Sequence, residues 1–582
     1  MGCILALLSL SALDADVVVV LGVQCPLAGL YAERLNELAE RYPAVRFRAV
    51  DPCPQDRPEQ IAAFARRLSF PLVRDEAGEA RRLGATRSPE VFLLVGGKIA
   101  YSGRIDDQYA PGTNRAAPTR RDLEEAIREV LAGKGVSIPH ATATGCKLKL
   151  AAGQPSADPS VTFAEVAPIL HRRCAACHRP GQIGPFSLVT YRDTVGWTPM
   201  MREVIENGRM PPWHADPKHG TFANDRSLTS AEKQTLLAWI DAGAPRGNAE
   251  PPPPTFAEGW RIRADRVLTM PRPFAVPAEG VLDYQEFELD PGFAGDTWIQ
   301  AVEIRPGSPA VVHHINVYLR PPGGERDTVY LNNVGDHYLA MTVPGNTVTD
   351  WPPGVAKVVP AGWKIVLSVH YQPNGTPQQD QSSLALALAD PRTVRQQAAT
   401  RLILDDELRI PPREQTTVRH EWTTEDDFTL LALYPHMHLR GKSMLFEAID
   451  ASGRVEILLD VPRYDFAWQH RYVLAVPKPL PRGTTLRCTA VYDNTAANPN
   501  NPDPSATVRA GRQSTDEMFQ AGFEVVRTAE NRLAADSSAW LSTPIVLAAV
   551  LLLLHWRGKP RSVVPPPSRA LRGRGSEASR GP

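Results

Sequence analysis

The chain has 582 residues, with 64 Lys+Arg balanced by 64 Asp+Glu, so no basic excess exists to neutralise a phosphate backbone, and nucleic-acid binding is excluded. One core rarely grows beyond roughly 300 residues, and the length predicts about four domains. The 55 prolines disfavour a mainly helical chain, and seven cysteines, six of them before residue 180, are too few for a disulfide-dense scaffold.

Residues 1–15 are apolar but no basic residue precedes them, and Asp14 interrupts before the run 17–21. A secretory signal ending near Ala15 and an already folded segment are both open readings. The run 17–21 reads as a buried strand, followed by Gln24-Cys25-Pro26 and by helical spacing of Leu30, Leu35 and Leu38 over 27–42. Strands at 45–50, 90–95 and 98–102 and a helix at 60–68 complete an α/β pattern over 1–150. A cysteine between strand and helix has its thiolate stabilised by the helix N-terminus.

On Cys25-Pro26, Ser88-Pro89 and Gly103-Arg104-Ile105-Asp106-Asp107, residues 1–150 resemble the thioredoxin-like superfamily in its peroxiredoxin and redoxin branch. The resemblance implies a cis-proline facing the thiol and a catalytic Cys25, with Cys53 and Cys146 both open as resolving thiols. Ala28 replaces the second cysteine of CxxC, and Gly22 stands where peroxiredoxins place Thr. A retained fold with little thiol chemistry therefore stands beside the redox reading.

Residues 155–247 carry Cys174-Ala175-Ala176-Cys177-His178, the CxxCH pattern in which two thiols bond the haem vinyls and His178 holds the iron. Helices are expected at 163–170, 198–206 and 229–242, a small all-α unit. Gly208-Arg209-Met210-Pro211-Pro212-Trp213 resembles the axial-ligand loop of class I-like cytochrome c domains, which implies Met210 as sixth ligand; His214 and His219 are the competitors. The proline-rich 248–261 reads as a semi-rigid linker.

From 262 the pattern becomes short alternating segments broken by Pro and Gly, as in β-sandwiches, with two units at 262–395 and 396–528 and a hinge near 391–399. His313 and His314 adjoin one expected strand, His370 lies in another, and His436-Met437-His438 ends a third. Residues i and i+2 of a strand share a face, so His436 and His438 can grip one ion; adjacent His313 and His314 need a bulge or turn to do so. Imidazoles with one thioether suit copper. His337 and His470 are weaker candidates, and His420 and His555 read as structural.

These residues, with Thr515-Asp516-Glu517-Met518, resemble the type II, ascorbate-dependent copper monooxygenases, the peptidylglycine alpha-hydroxylating and dopamine beta-monooxygenases. The resemblance implies two jelly-roll-like antiparallel β-sandwich domains. It implies an electron-transfer copper at His313, His314 and His370, and an oxygen-binding copper at His436, His438 and Met518, separated by a solvent-filled gap. Two residues before His436 the peptide-amidating members carry Arg, here Tyr434; four past the Met they carry Tyr, here Gly522. Cys488 has no neighbour for the family's disulfides.

The uncharged run 537–556, flanked by Trp540 and Trp556, has the length and composition of a transmembrane helix, and the basic tail 557–582 predicts its cytoplasmic end. The expectation is thus a multidomain, single-pass cell-membrane protein with its domains on the extracytoplasmic, periplasmic side. It binds two copper ions and one haem c and hydroxylates an unidentified small-molecule or peptide substrate with O2. An ascorbate-like or respiratory donor supplies electrons, relayed by the haem. The alternatives are an electron-transfer or redox- and metal-sensing protein without hydroxylase activity, and a thiol-based peroxide-removing protein.

Overall fold

The computed structural model describes residues 14–110, 113–115, 117–150, 161–256, 258–324 and 337–527. The valine run of Ala15–Val20 forms a strand at the centre of a six-stranded sheet, buried on both faces as an unbroken β-branched run requires. It pairs in parallel with Arg46–Asp51 and antiparallel with Glu90–Val95. Helix Pro26–Arg41 follows directly, its first position taken by proline, whose fixed φ suits a helix start. Its apolar side, Leu27, Tyr31, Leu35 and Leu38, packs on the sheet together with helix Asp122–Leu131.

Helices Phe163–Arg173 and Ser230–Asp241 each begin with a capping box, Thr162/Glu165 and Thr229/Glu232, which satisfies backbone N–H groups at their starts. Their apolar residues, including Phe163, Leu170 and Trp239, join Leu27, Tyr31 and Leu35 in one continuous hydrophobic cluster. The Arg87–Glu203 ion pair at 2.8 Å ties the same two segments together. The α/β and helical segments therefore share a core.

Beyond the linker lie two β units. In the first, a four-stranded sheet runs Gln285–Leu289, Lys364–Tyr371, Val312–Arg320, Tyr338–Thr342; in the second, Gln415–Thr423, Thr485–Asp493, Gly441–Ile449, Val455–Val461. Their opposing strands belong to a single long sheet. Its order is Arg266–Thr269, Ser383–Leu388, Thr297–Arg305, Val355–Val359, Gln396–Asp405, Phe519–Arg527, Phe428–His436, Tyr472–Leu480. The units join where Val355 and Ala356 pair in parallel with Gln396 and Gln397.

Beneath this joint lies a buried polar network. Glu524 accepts from Trp351 Nε1 at 2.7 Å and Tyr434 OH at 3.1 Å, pairs with Arg471 at 2.5 Å, and has Lys357 Nζ at 3.5 Å. Trp351 and Lys357 come from one unit, and Tyr434, Arg471 and Glu524 from the other.

The expected fold class is corrected at its C-terminal transmembrane helix. Among the described residues no helix is long and apolar enough to cross a membrane. The longest of them, Pro26–Arg41, has 16 residues and carries charges along its length, whereas a span needs about 20 apolar ones. Residues 537–556, the tail 557–582 and His555 lie outside the described residues. The membrane anchoring, the single-pass cell-membrane placement and the periplasmic side deduced from that helix are withdrawn with it.

Candidate metal and thiol sites

His313 and His314 lie on strand Val312–Arg320, where the ladder to Lys364–Tyr371 shifts register between Val312 and His314. The irregularity turns two adjacent side chains toward one point: their Nδ1 atoms face each other at 3.0 Å. His314 pairs directly with His370 across the ladder, and one nitrogen from each of the three rings lies within 4.8 Å of the others. Tyr284 OH sits 2.9 Å from His314 Nε2, and His370 Nδ1 is buried without a partner. Burial pushes His313 down to about 4, and burial with the neighbouring imidazoles holds His314 and His370 well below the usual range. Three neutral, converging imidazoles, one with an orphaned nitrogen, fit a copper ion.

In the second unit His436 ends strand Phe428–His436, and its Nδ1 bonds Gln469 Oε1. His438 Nδ1 donates to the Asp516 carbonyl at 3.3 Å. In each ring the other nitrogen is thereby left as the lone-pair donor, the usual arrangement of a metal-binding histidine. Burial holds His436 down to about 4 and His438 to about 3. The buried Glu517 carboxylate accepts the backbone N–H groups of His438 at 2.8 Å, Arg440 at 2.6 Å and Met518 at 3.1 Å. One side chain thus fixes both the His-x-His turn and the methionine. His436, His438 and Met518 line one cavity of about 990 Å³, to which Tyr284 and Tyr338 of the first unit contribute.

The departures at Tyr434 and Gly522 face each other in register on neighbouring strands. A Cβ on Gly522 would come within 3.0 Å of Tyr434 Cβ, so the glycine makes room for the tyrosine. Tyr434 OH accepts from Arg471 Nε at 2.8 Å, and Arg471 is neutralised by Glu524.

Cys25 occupies the position just before the helix Pro26–Arg41, and the Ser88-Pro89 peptide is cis. Cys25 Sγ lies 2.9 Å from the Ser88 carbonyl and 3.0 Å from Cys146 Sγ. Burial alone would push the Cys25 thiol up, but hydrogen bonds from Cys146, the Ala28 N–H and Ser88 outweigh it and pull it down to about 7. Cys53 is grouped instead with buried Asp51 and Asp56. A Cβ at Gly22 would collide with Cys53 Sγ, which accounts for the glycine there.

Cys174, Cys177, His178 and Met210 line one cavity of about 1190 Å³, above the ~300–1000 Å³ usual for ligand pockets. Cys25, Cys146 and His313 line the same cavity. His178 Nδ1 donates to the Phe186 carbonyl at 3.2 Å and burial keeps the ring neutral, which leaves Nε2 for an iron. Gly184 approaches so closely that a Cβ would sit 2.6 Å from the Cys177 carbonyl oxygen. These residues fit a c-type haem. His214 and His219 are absent from the cavity wall; His219 is grouped with Asp216 and Asp460.

Of the remaining histidines, His470 is buried with Nε2 at 2.7 Å from the Pro212 carbonyl, His420 pairs with Asp405 at 3.0 Å, and His337 packs edge-on to Trp363. Tyr284, Gln469 and Phe466 gave no signal in the sequence, because long-range folding brings them to the histidines. Glu517 did have one, its place beside Met518.

No family model and no curated protein matches the chain. Among solved structures, an uncharacterized conserved protein from Geobacillus kaustophilus is 27% identical over 25% of this chain and 79% of its own, with a TM-score of 0.22. A hypothetical protein from Sinorhizobium meliloti 1021 is 27% identical over 24% of this chain and 81% of its own, at 0.22. StoA from Bacillus subtilis is 22% identical over 15% and 72%, at 0.14. None of these similarities identifies a family for the chain.

Proposed function

We propose that the chain is a copper-dependent monooxygenase, similar to the type II ascorbate-dependent enzymes, with a c-type haem as attached electron carrier. The observation that carries this reading is the convergence of His313, His314 and His370 on one point, with Tyr284, the partner of His314, lining the same cavity as His436, His438 and Met518. The net reaction converts R–H, O2, two electrons and two protons into R–OH and water. Copper would supply the one-electron steps and the activation of O2, and haem would supply one-electron transfer. The chain's own residues orient the donors: Tyr284 holds His314, Gln469 holds His436, and Glu517 with the Asp516 carbonyl holds His438. Because His313 lines the haem-motif cavity, a carrier held there by Cys174, Cys177 and His178 would supply electrons beside the three-histidine set. The substrate is an unidentified small molecule or peptide, and the donor ascorbate-like or respiratory. The Arg471–Glu524 pairing beside Tyr434 argues against recognition of a peptide carboxylate at that position.

The test is to quantify copper and haem in purified protein and follow O2 uptake with a reductant and candidate substrates. The expected result is bound copper and covalent haem, with uptake and oxygenated product that vanish when copper is chelated and return on its addition. Uptake that is indifferent to copper sinks the reading.

A second reading, thiol-based peroxide removal, is favoured by the 3.0 Å separation of Cys25 and Cys146 sulfurs. Here ROOH and the two thiols give ROH, water and a Cys25–Cys146 disulfide. Hydroperoxide treatment is expected to consume both thiols in the wild type and to stop at a Cys25 sulfenic acid in Cys146→Ser. A disulfide with Cys53 instead, or no thiol loss, defeats this second reading.

A further inference from the structure

One aromatic ring stands between the two histidine sets. The centroid of Phe466 lies 5.6 Å from His370, 6.3 Å from His313, 6.4 Å from His314 and 5.8 Å from His438. These are ordinary contact distances for aromatic rings, so Phe466 touches both sets at once. The residue comes from the loop between strands Val455–Val461 and Tyr472–Leu480.

That loop is held from several directions. Tyr464 OH donates to the Met437 carbonyl at 2.7 Å and accepts the Met437 N–H at 3.0 Å, in the middle of the His-x-His turn. Gln469 Nε2 donates to the Phe466 carbonyl at 3.0 Å while its oxygen engages His436. Arg463 donates to the Asn207 carbonyl at 2.6 Å, which secures the loop to the haem-motif segment. Asp465, Ala467 and Trp468 line the haem-motif cavity, and Gln469 lines the His436/His438 cavity. Phe466 thus belongs to a short loop whose neighbouring residues line two different cavities, Asp465, Ala467 and Trp468 the one and Gln469 the other, while its ring touches both histidine sets.

We propose that Phe466 is a partition: it fills the gap between the two histidine sets with an apolar ring and keeps water from bridging them. The proposal rests on reading both sets as metal sites. A water in such a gap needs two to four polar partners, and a benzene ring offers none. Phe466 is a positioning residue. It supplies no ligand, and its removal leaves every histidine and every orienting hydrogen bond in place. The sequence resemblance, by contrast, implied a gap filled with solvent.

The test uses the full chain loaded with Cu(II), copper counted first, then pulsed EPR after exchange into D2O. Wild type is expected to hold two copper ions with a baseline deuterium modulation from the exchangeable imidazole N–H groups and from water in the two cavities. Phe466→Ala is expected to keep both ions and to gain deuterium modulation above that baseline. Phe466→Leu is expected to fall between them, and it carries the comparison if the alanine variant does not fold. Both ions bound with wild-type modulation in the variants overturns the partition alone. Loss of copper from Phe466→Ala also overturns it, since the ring would then be needed for binding. Fewer than two ions in the wild type overturns the two-site reading, and the partition with it.

Discussion

His370→Ala is expected to empty the three-histidine set of copper while leaving the fold intact. The side chain projects from strand Lys364–Tyr371, whose ladders to Gln285–Leu289 and Val312–Arg320 are made by backbone groups that alanine retains. His370 Nδ1 has no hydrogen-bond partner, so its removal orphans no donor or acceptor elsewhere. The donor set falls from three imidazoles to two. Loss of a mere orienting partner costs about 10–100-fold in metal affinity, so loss of a ligand itself should exceed ~100-fold. Tyr284→Phe, which removes only the hydroxyl 2.9 Å from His314 Nε2, should fall within the smaller range. Chelator competition on both variants, beside thermal unfolding of the copper-free proteins, makes the comparison. Wild-type affinity in His370→Ala would show that the three rings do not act as one site.

Glu524→Gln is expected to cost about 3–5 kcal/mol of stability, the range for a buried ion pair that loses one partner. The carboxylate is fully buried between Arg471 at 2.5 Å and Lys357 at 3.5 Å, and the amide would remove the negative charge that it offers to both. Burial alone would raise this carboxyl, but Arg471 and Lys357 outweigh it and pull it from 4.5 down to about 2. The folded value lies below the unfolded one, so the carboxylate's contribution is present in full above about pH 5. It is lost as pH falls through about 2. A shift of this size corresponds to about 3 kcal/mol, in line with the substitution cost. Urea unfolding of wild type and variant at neutral pH and near pH 3 should show their difference shrinking in acid. A gap that stays constant, or that is below about 1 kcal/mol at neutral pH, would mean that Glu524 carries little of the joint between the β units.

The local parts of this architecture were legible in the sequence because they rest on neighbours along the chain. A run of valines makes a two-sided buried strand, Cys25-Pro26 starts a helix, and two adjacent histidines on a strand demand the irregularity found between Val312 and His314. What depends on distant residues was not. Nothing near Gln396 shows that it pairs with Val355, and nothing near Phe466 shows that its ring meets His370 and His438. Cys53 and Cys146 were equivalent by spacing, and only the fold brings Cys146 to Cys25. Tyr434 and Gly522 read as two unrelated departures until the ladder set them opposite each other. The C-terminal span misled in another way. A composition suited to a membrane made it the anchor of a topology that no described helix carries.

The parallel pairing of Val355 and Ala356 with Gln396 and Gln397 has a mechanical consequence. The strands that cross this joint carry a backbone ladder from one β unit into the other, so a swing about 391–399 would have to tear hydrogen bonds and expose the Glu524 network to water. The spacing of the two histidine sets is therefore built into the frame like the span of a truss. A ligand entering the cavity would meet a fixed gauge, and size selection would come from the side chains that line it.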